Sequence, residues 1–140
     1  MNAIELLKSK GLKKTAQRIM LINILQKAPI ALMESDIKTE MGDLYDRITF
    51  YRTVQTLLDA DIIHRITVDN TIVKYAMNTL HTSRQESDHA HFFCKNCHSV
   101  ICIGGIPFVE YKLPDGFTSD ECEILIKGTC ANCQSVKRSQ

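Results

Sequence analysis

DRITFYRTVQTLLDADIIHRITVDNTIVKYAM, residues 46–77, changes its periodicity once, and that change decides the fold. Over residues 46–60, Phe50, Val54, Leu57 and Leu58 recur at helical spacing and form an apolar side. Thr49, Arg52, Thr53 and Thr56 are left for the other side. Residues 62–68 and 71–77 then alternate or run apolar with β-branched side chains, and Asp69-Asn70 between them suits the positive φ angles of a two-residue hairpin turn. Helices followed by a hairpin make a winged helix-turn-helix, in which the helix before the hairpin enters the major groove and the wing lies over the backbone. The outer helix face fits that role. An exposed helix normally mixes Glu with Lys, whereas this one offers hydroxyls, Arg52 and Gln55, with Tyr51 near its start. Such groups donate to phosphates and reach base edges. A merely solvated polar face is the plainer reading of the same residues.

Upstream, Ile4, Leu6 and Leu7 predict a short helix ended at Gly11, and Thr15 caps a second whose stripe of Ile19, Met20, Leu21, Ile22 and Leu25 stops before Pro29. A third helix over residues 35–41 carries Ile37 and Met41, and Gly42 stops it. The chain of 140 residues has a net charge of only +1, but residues 1–27 hold five Lys and one Arg against one Glu. This local cationic segment permits a nucleic-acid partner that the overall balance would not suggest. No apolar run approaches the roughly 20 residues that span a bilayer, and residues 1–10 lack the apolar core of a signal peptide, so a cytoplasmic protein with no membrane partner is expected.

Downstream, residues 78–88 (NTLHTSRQESD) read as a hinge, and then the pattern turns to strands. Strands are expected over residues 89–93, 100–103 and 121–127, the last with Cys122, Ile124 and Ile126 on one face. Gly104-Gly105-Ile106-Pro107 and Pro114-Asp115-Gly116 supply turns. The firmest chemical signal is Cys94-Lys95-Asn96-Cys97, answered by Cys130-Ala131-Asn132-Cys133. Two Cys-x-x-Cys pairs close the tetrahedral shell of one structural Zn2+, with Zn–S bonds of about 2.3 Å. Two disulfides or a thioredoxin-type redox pair are the competing readings, but disulfides are rare in the cytosol and a redox motif normally comes singly. The fold class is therefore α+β: a winged helix over residues 1–77, a hinge over 78–88, and a small β-rich, zinc-binding dimerisation domain over 89–140.

These segments together resemble the ferric uptake regulator (Fur) family of bacterial metal- and peroxide-responsive repressors. Gly11-Leu12-Lys13-Lys14-Thr15-Ala16-Gln17-Arg18 is similar to the family's Gly-Leu-x-x-Thr-Pro-Gln-Arg opening, and Ile48-Thr49-Phe50-Tyr51-Arg52-Thr53-Val54 resembles its Ala-Thr-Val-Tyr-Arg recognition helix. His89-Ala90-His91-Phe92-Phe93-Cys94-x-x-Cys97 resembles its His-x-His-x-x-Cys-x-x-Cys segment. Leu113-Pro114-x-Gly116-Phe117 and Gly128-x-Cys130-x-x-Cys133 resemble its ending. The resemblance implies a repressor acting as a homodimer on a palindromic double-stranded DNA operator. It makes Tyr51 and Arg52 the main contacts, Tyr51 on base edges or thymine methyls and Arg52 on phosphate. Lys13 falls near the minor groove or backbone, and Gln17 and Arg18 buttress or touch phosphate. Thr49 joins the DNA-contacting set from its place on the helix.

The family's regulatory ion, by the same resemblance, takes a His before the third helix, an acid at the wing end, both His of His-x-His and an acid after the first Cys pair. Here His89 and His91 are kept. The third-helix approach reads Pro29-Ile30-Ala31-Leu32-Met33, the wing end is Ala76, the later acid is Cys102, and a further family His is Cys122. One reading makes His89, His91 and Cys102 a softer site, where thiolate plus imidazole suits Zn2+, Co2+ or copper better than Mn2+. The other makes Cys102 and Cys122 small buried hydrophobes in a decayed site. A thiol redox switch, a metal-independent regulator and a zinc-ribbon adaptor that binds protein are the alternatives. Enzyme function is not expected: a closed four-thiolate shell leaves no open catalytic position, and no His-Glu-x-x-His occurs.

Overall fold

Residue chemistry marks the boundaries of every helix in the first half of the chain. We describe the protein from a computed structural model covering residues 1–78, 90–103, 112–120 and 122–138, without the side chains of 137 and 138. Helix α1 (Ala3–Ser9) opens with a capping box between Asn2 and Glu5, and Gly11 at φ +68° turns the chain out of it. Thr15 caps α2 (Ala16–Lys27) by accepting from the Arg18 amide at 3.2 Å. The Asp36 carboxylate accepts from the Met33 amide at the start of α3 (Glu34–Met41), and Gly42 at φ +59° leads into a 3-10 turn, Gly42–Leu44. Helix α4 (Arg47–Asp59) starts on Asp46, whose carboxylate accepts from both the amide and the hydroxyl of Thr49, at 2.9 and 2.7 Å. Strands β1 (Ile63–Val68) and β2 (Ile72–Met77) form an antiparallel hairpin with Val68 opposite Ile72. Asp69 and Asn70 form its turn at φ 53° and 59°.

The chain divides into two units, Met1–Asn78 and Thr79–Gln140. In the first, Leu7, Leu21, Ile22, Ile37, Phe50, Val54, Leu57, Ile62 and Ile63 form a continuous core. Leu32 is bridged to Tyr75 by paired backbone bonds of 2.9 and 2.7 Å, which pins the segment before α3 onto the wing. One side chain differs from the sequence expectation: Thr53 is buried rather than on the outer face of α4. At 3.6 residues per turn it lies between Phe50 and Leu57, so helical geometry places it on the core side.

Among its described residues, the second unit is a three-stranded sheet and a helix. Strand β3 (Ala90–Cys94) is central, antiparallel to β4 (Val100–Ile103) and parallel to β5 (Ile124–Gly128), which leads into α5 (Ala131–Arg138). Gly128 sits opposite Cys94, and a Cβ there would meet the Phe92 ring at 3.2 Å, so a side chain at this position would have to displace the ring by a few tenths of an ångström. The Pro114-Asp115-Gly116 turn forms, closed by the Phe117 amide on the Pro114 carbonyl at 3.1 Å with Gly116 at φ +86°. Strand β5 is shorter than expected. Its ladder opens at the pair of Ala90 with Ile124, so Cys122 precedes it and takes no place in the alternation. A strand extends only as far as a partner offers hydrogen bonds, whatever its own pattern. The Gly104–Pro107 turn, Glu121, His89 and hinge residues 79–88 lie outside the described residues. Among the described residues, no helix is long and apolar enough to cross a membrane.

Candidate metal centre and nucleic-acid interface

Four thiols converge where the ends of β3 and β5 meet. Cys94 ends β3, Cys97 lies in the knuckle that follows, Cys130 stands just before α5, and Cys133 is in that helix's first turn. Their sulfurs all lie within 4.8 Å of one another, with Cys94 to Cys133 and Cys97 to Cys130 both at 3.8 Å. A tetrahedron with bonds of about 2.3 Å has an edge of about 3.8 Å, so the spacing fits zinc. It is far beyond a disulfide bond of about 2.05 Å.

Hydrogen bonds prepare these sulfurs for metal. The backbone amides of Cys97 and Cys130 point at Cys94 Sγ, at 3.5 and 3.4 Å, and lower its pKa to about 6. Ser99 lowers that of Cys97. The Asn96 amide donates to Cys133 Sγ at 3.1 Å and acts to lower its pKa, but the adjoining thiols and burial carry that group up to about 11. Crowding four thiols in one place means that they cannot all ionise unaided, and a dication is what permits it. The knuckle is tied internally: the Cys94 backbone amide donates to the Ser99 carbonyl at 3.0 Å, and the His98 backbone amide donates to the Cys94 carbonyl at 2.8 Å. His98, at φ 64°, stacks on Phe93 with centroids 5.8 Å apart. Asn96 and Ser99 were not singled out from the sequence. Nothing but their place inside or just after the first Cys pair would have drawn attention to them.

Of the second set of candidate ligands, His91 and Cys102 are directly opposed in the β3–β4 ladder and their ligand atoms lie within 4.8 Å of each other. Loss of solvation raises the Cys102 thiol. His89 is outside the described residues.

The outer face of α4 presents Ile48, Tyr51, Arg52 and Gln55, all exposed, one turn apart or adjacent. Thr49 is partly withdrawn, because its hydroxyl is committed to the Asp46 cap. The Tyr51 hydroxyl donates to Glu34 Oε2 at 2.5 Å, and the Tyr45 hydroxyl donates to Glu34 Oε1. These two bonds, Tyr45's first, hold the Glu34 carboxylate below its ordinary range. Glu34 in turn raises Tyr51 and pushes Tyr45 up to about 12. Lys38 Nζ sits 5.3 Å from the Tyr45 ring centroid. Lys13 is exposed, and its carbonyl accepts from Arg18 Nη1 at 3.0 Å and from the Thr15 amide at 3.2 Å. Gln17 Nε2 donates to Leu44 O at 2.6 Å while its Oε1 is buried without a partner. Arg18 and Gln17 thus brace the turn between α1 and α2 and the turn after α3. Glu34 and Tyr45 were not read from the sequence as site residues, since no periodicity links positions 11 and 17 residues apart.

A winged helix followed by a sheet that gathers four thiols defines a class of metal-stabilised winged-helix proteins. The family model described as the ferric uptake regulator family matches residues 9–107. The chain is 25% identical over 126 residues to ferric uptake regulation protein 1 of Mycolicibacterium fortuitum, covering 86% of this chain and 74% of that one. It is 25% identical over 134 residues to the zinc uptake regulation protein of Mycobacterium tuberculosis, covering 89% and 97%. Among solved structures it is similar in fold to a zinc uptake regulator complexed with zinc and DNA (TM-score 0.72, 18% identity, 97% and 93% covered). It is also similar to the Vibrio cholerae ferric uptake regulator (TM-score 0.63, 20% identity, 90% and 98% covered). The chain belongs to the ferric uptake regulator family, a family of DNA-binding, metal-responsive transcriptional regulators.

Proposed function

We propose that this protein is a cytoplasmic, non-enzymatic repressor that binds a palindromic operator as a homodimer. In this reading residues 1–77 bind DNA, 78–88 are the hinge and 89–140 dimerise. The carrying observation is the outer face of α4, which precedes the hairpin and keeps Tyr51, Arg52 and Gln55 exposed. Arg52 takes a phosphate, Tyr51 a base edge or a thymine methyl, and Thr49 stands near the helix N-terminus, where a recognition helix meets bases. Lys13 takes a second phosphate from the turn that Arg18 braces, and Arg18 keeps donors for a phosphate of its own. Cys94, Cys97, Cys130 and Cys133 hold the structural Zn2+ that keeps the C-terminal sheet and helix together.

The response to an effector is assigned to a second ion bound through His91 and Cys102, with His89 as a further ligand. Their opposition across β3 and β4 supports this, and imidazole with thiolate favours Zn2+, Co2+ or copper over Mn2+. A tenfold change in operator affinity requires about 1.4 kcal/mol of coupling, supplied only by a difference in ion affinity between the two forms of the protein. A duplex library of about 30 random base pairs, wide enough for two half-sites one helical turn apart, tests the reading. Selection with the purified protein is expected to enrich a palindrome, and Arg52→Ala to lose it. Titrating each ion into protein carrying one zinc per chain, with anisotropy of the selected duplex as readout, is expected to change affinity for a soft ion and not for Mn2+. Equal affinity with and without every ion would leave a constitutive DNA binder.

A further inference from the structure

The Glu34 side chain joins three segments of the N-terminal unit: it opens α3, receives Tyr45 from the turn before α4, and receives Tyr51 from the outer face of α4 itself. A carboxylate beside a DNA-reading helix opposes phosphate, and so costs affinity for any duplex. Its two oxygens each accept one tyrosine proton, and an ionised carboxylate is a stronger acceptor than a base nitrogen or carbonyl. The Tyr51 proton is therefore committed within the protein, and what the residue still offers is its ring. One turn earlier on the same face stands Ile48, 65% exposed against 45% for Tyr51. A single exposed apolar side chain is ordinary. An isoleucine and a tyrosine ring on the same face, in the first two turns of a helix that enters a major groove, make an apolar reading surface. The one apolar feature there is the thymine methyl.

We propose that Glu34 is a positioning residue that holds Tyr51 by its hydroxyl, so that the tyrosine ring and Ile48 read thymine methyls rather than hydrogen-bonding base edges. This rests on the DNA-binding role proposed above; it adds Glu34 and Ile48, and it chooses between the two contacts that the resemblance implies for Tyr51. Glu34 exchanges general affinity for selectivity: its charge weakens contact with every duplex, and its hydrogen bond fixes the ring that discriminates between them.

The duplex enriched by the full-length protein is the probe. Replacing its thymines one at a time by uracil deletes only the methyl. For the unsubstituted protein, at least one position in each half-site is expected to weaken about fourfold, the worth of one buried methylene. Ile48→Ala is expected to become indifferent to the methyl that Ile48 meets. Glu34→Gln keeps one acceptor oxygen of the two and removes the charge. It is expected to bind a random-sequence duplex about twofold more tightly, in the range of an exposed charge interaction, while its preference between thymine and uracil falls. Tyr51→Phe is expected to lose the same preference and to make Glu34→Gln silent for it. A residue that served only structure would lower selected and random binding together, so parallel losses in Glu34→Gln would overturn the proposal. So would a uracil scan that is flat for the unsubstituted protein, or one that Ile48→Ala leaves unchanged. Failure to enrich any duplex would remove the DNA-binding reading itself along with this one.

Discussion

Glu34 shows how one side chain sets the ionisation of its neighbours. Its carboxylate is held below the ordinary value of 4.5, first by the Tyr45 hydroxyl and then by Tyr51, so its stabilising bonds are in place above about pH 4.5 and are lost as pH falls through the lower folded value. The tyrosines shift the other way. Tyr45 ionises at about 12 instead of 10, so its part is complete below pH 10 and is lost as pH rises toward 12. Phenolate absorbance in an alkaline titration is expected to show one tyrosine near 12, and Glu34→Ala to return it toward 10. Asn96 acts at the same scale on the metal. Its amide donates to Cys133 Sγ at 3.1 Å, a bond that orients and tempers a ligand thiolate. Asn96→Ala is expected to reduce zinc affinity by roughly 10- to 100-fold in competition with a chromophoric chelator, with the fold intact while zinc is in excess.

At the scale of elements, the helices of the N-terminal unit depend on their caps more than on their length. Helix α2 is 12 residues long and α3 only 8, too short to persist without packing and capping. Thr15→Ala removes the acceptor for the Arg18 amide and is expected to cost about 1 kcal/mol in urea denaturation, whereas Thr15→Asn, a strong cap, is expected to stay near the parent. The boundaries at Gly11, Thr15 and Gly42 were legible because capping is local chemistry that acts within a few residues; Asn2 and Asp46 cap α1 and α4 in the same way but were not read from the sequence as caps. The Asp69-Asn70 turn was legible for the same reason. Helix α5 was not, since its polar sequence carries no apolar stripe and its place follows from Cys130 and Cys133 having to reach Cys94 and Cys97. Thr53 was misplaced because its hydroxyl was grouped with those of Thr49 and Thr56, although its spacing from Phe50 and Leu57 marks the core side.

At the scale of the whole molecule, the second unit is expected to need its metal in order to fold. Among its described residues that unit buries only Ala90, Phe93, Cys94, Val100 and Cys133, two of which belong to the four-cysteine cluster. So small an apolar core needs a staple. Structural zinc supplies on the order of 10–16 kcal/mol in small domains. One zinc per chain is expected by elemental analysis. Cys94→Ser, or prolonged chelation, is expected to abolish the circular dichroism of the second unit and the dimer with it. The first unit has its own continuous core from Leu7 to Tyr75 and is expected to remain helical.

The sequence by itself determined the order of the elements as far as β5, the winged helix and the paired cysteines, because periodicity, capping and Cys-x-x-Cys spacing are properties of short segments, and it pointed to the family through the resemblance of its motifs. Only the tertiary structure decided what the side chains of α4 do. Tyr51 is tied to a carboxylate 17 residues away in another helix. It also brought His91 opposite Cys102 and ended β5 short of Cys122. The Tyr51–Glu34 bond, the opposition of His91 to Cys102 and the start of β5 are pairings between separate segments, and such pairings depend on packing and register, which no short stretch of sequence carries.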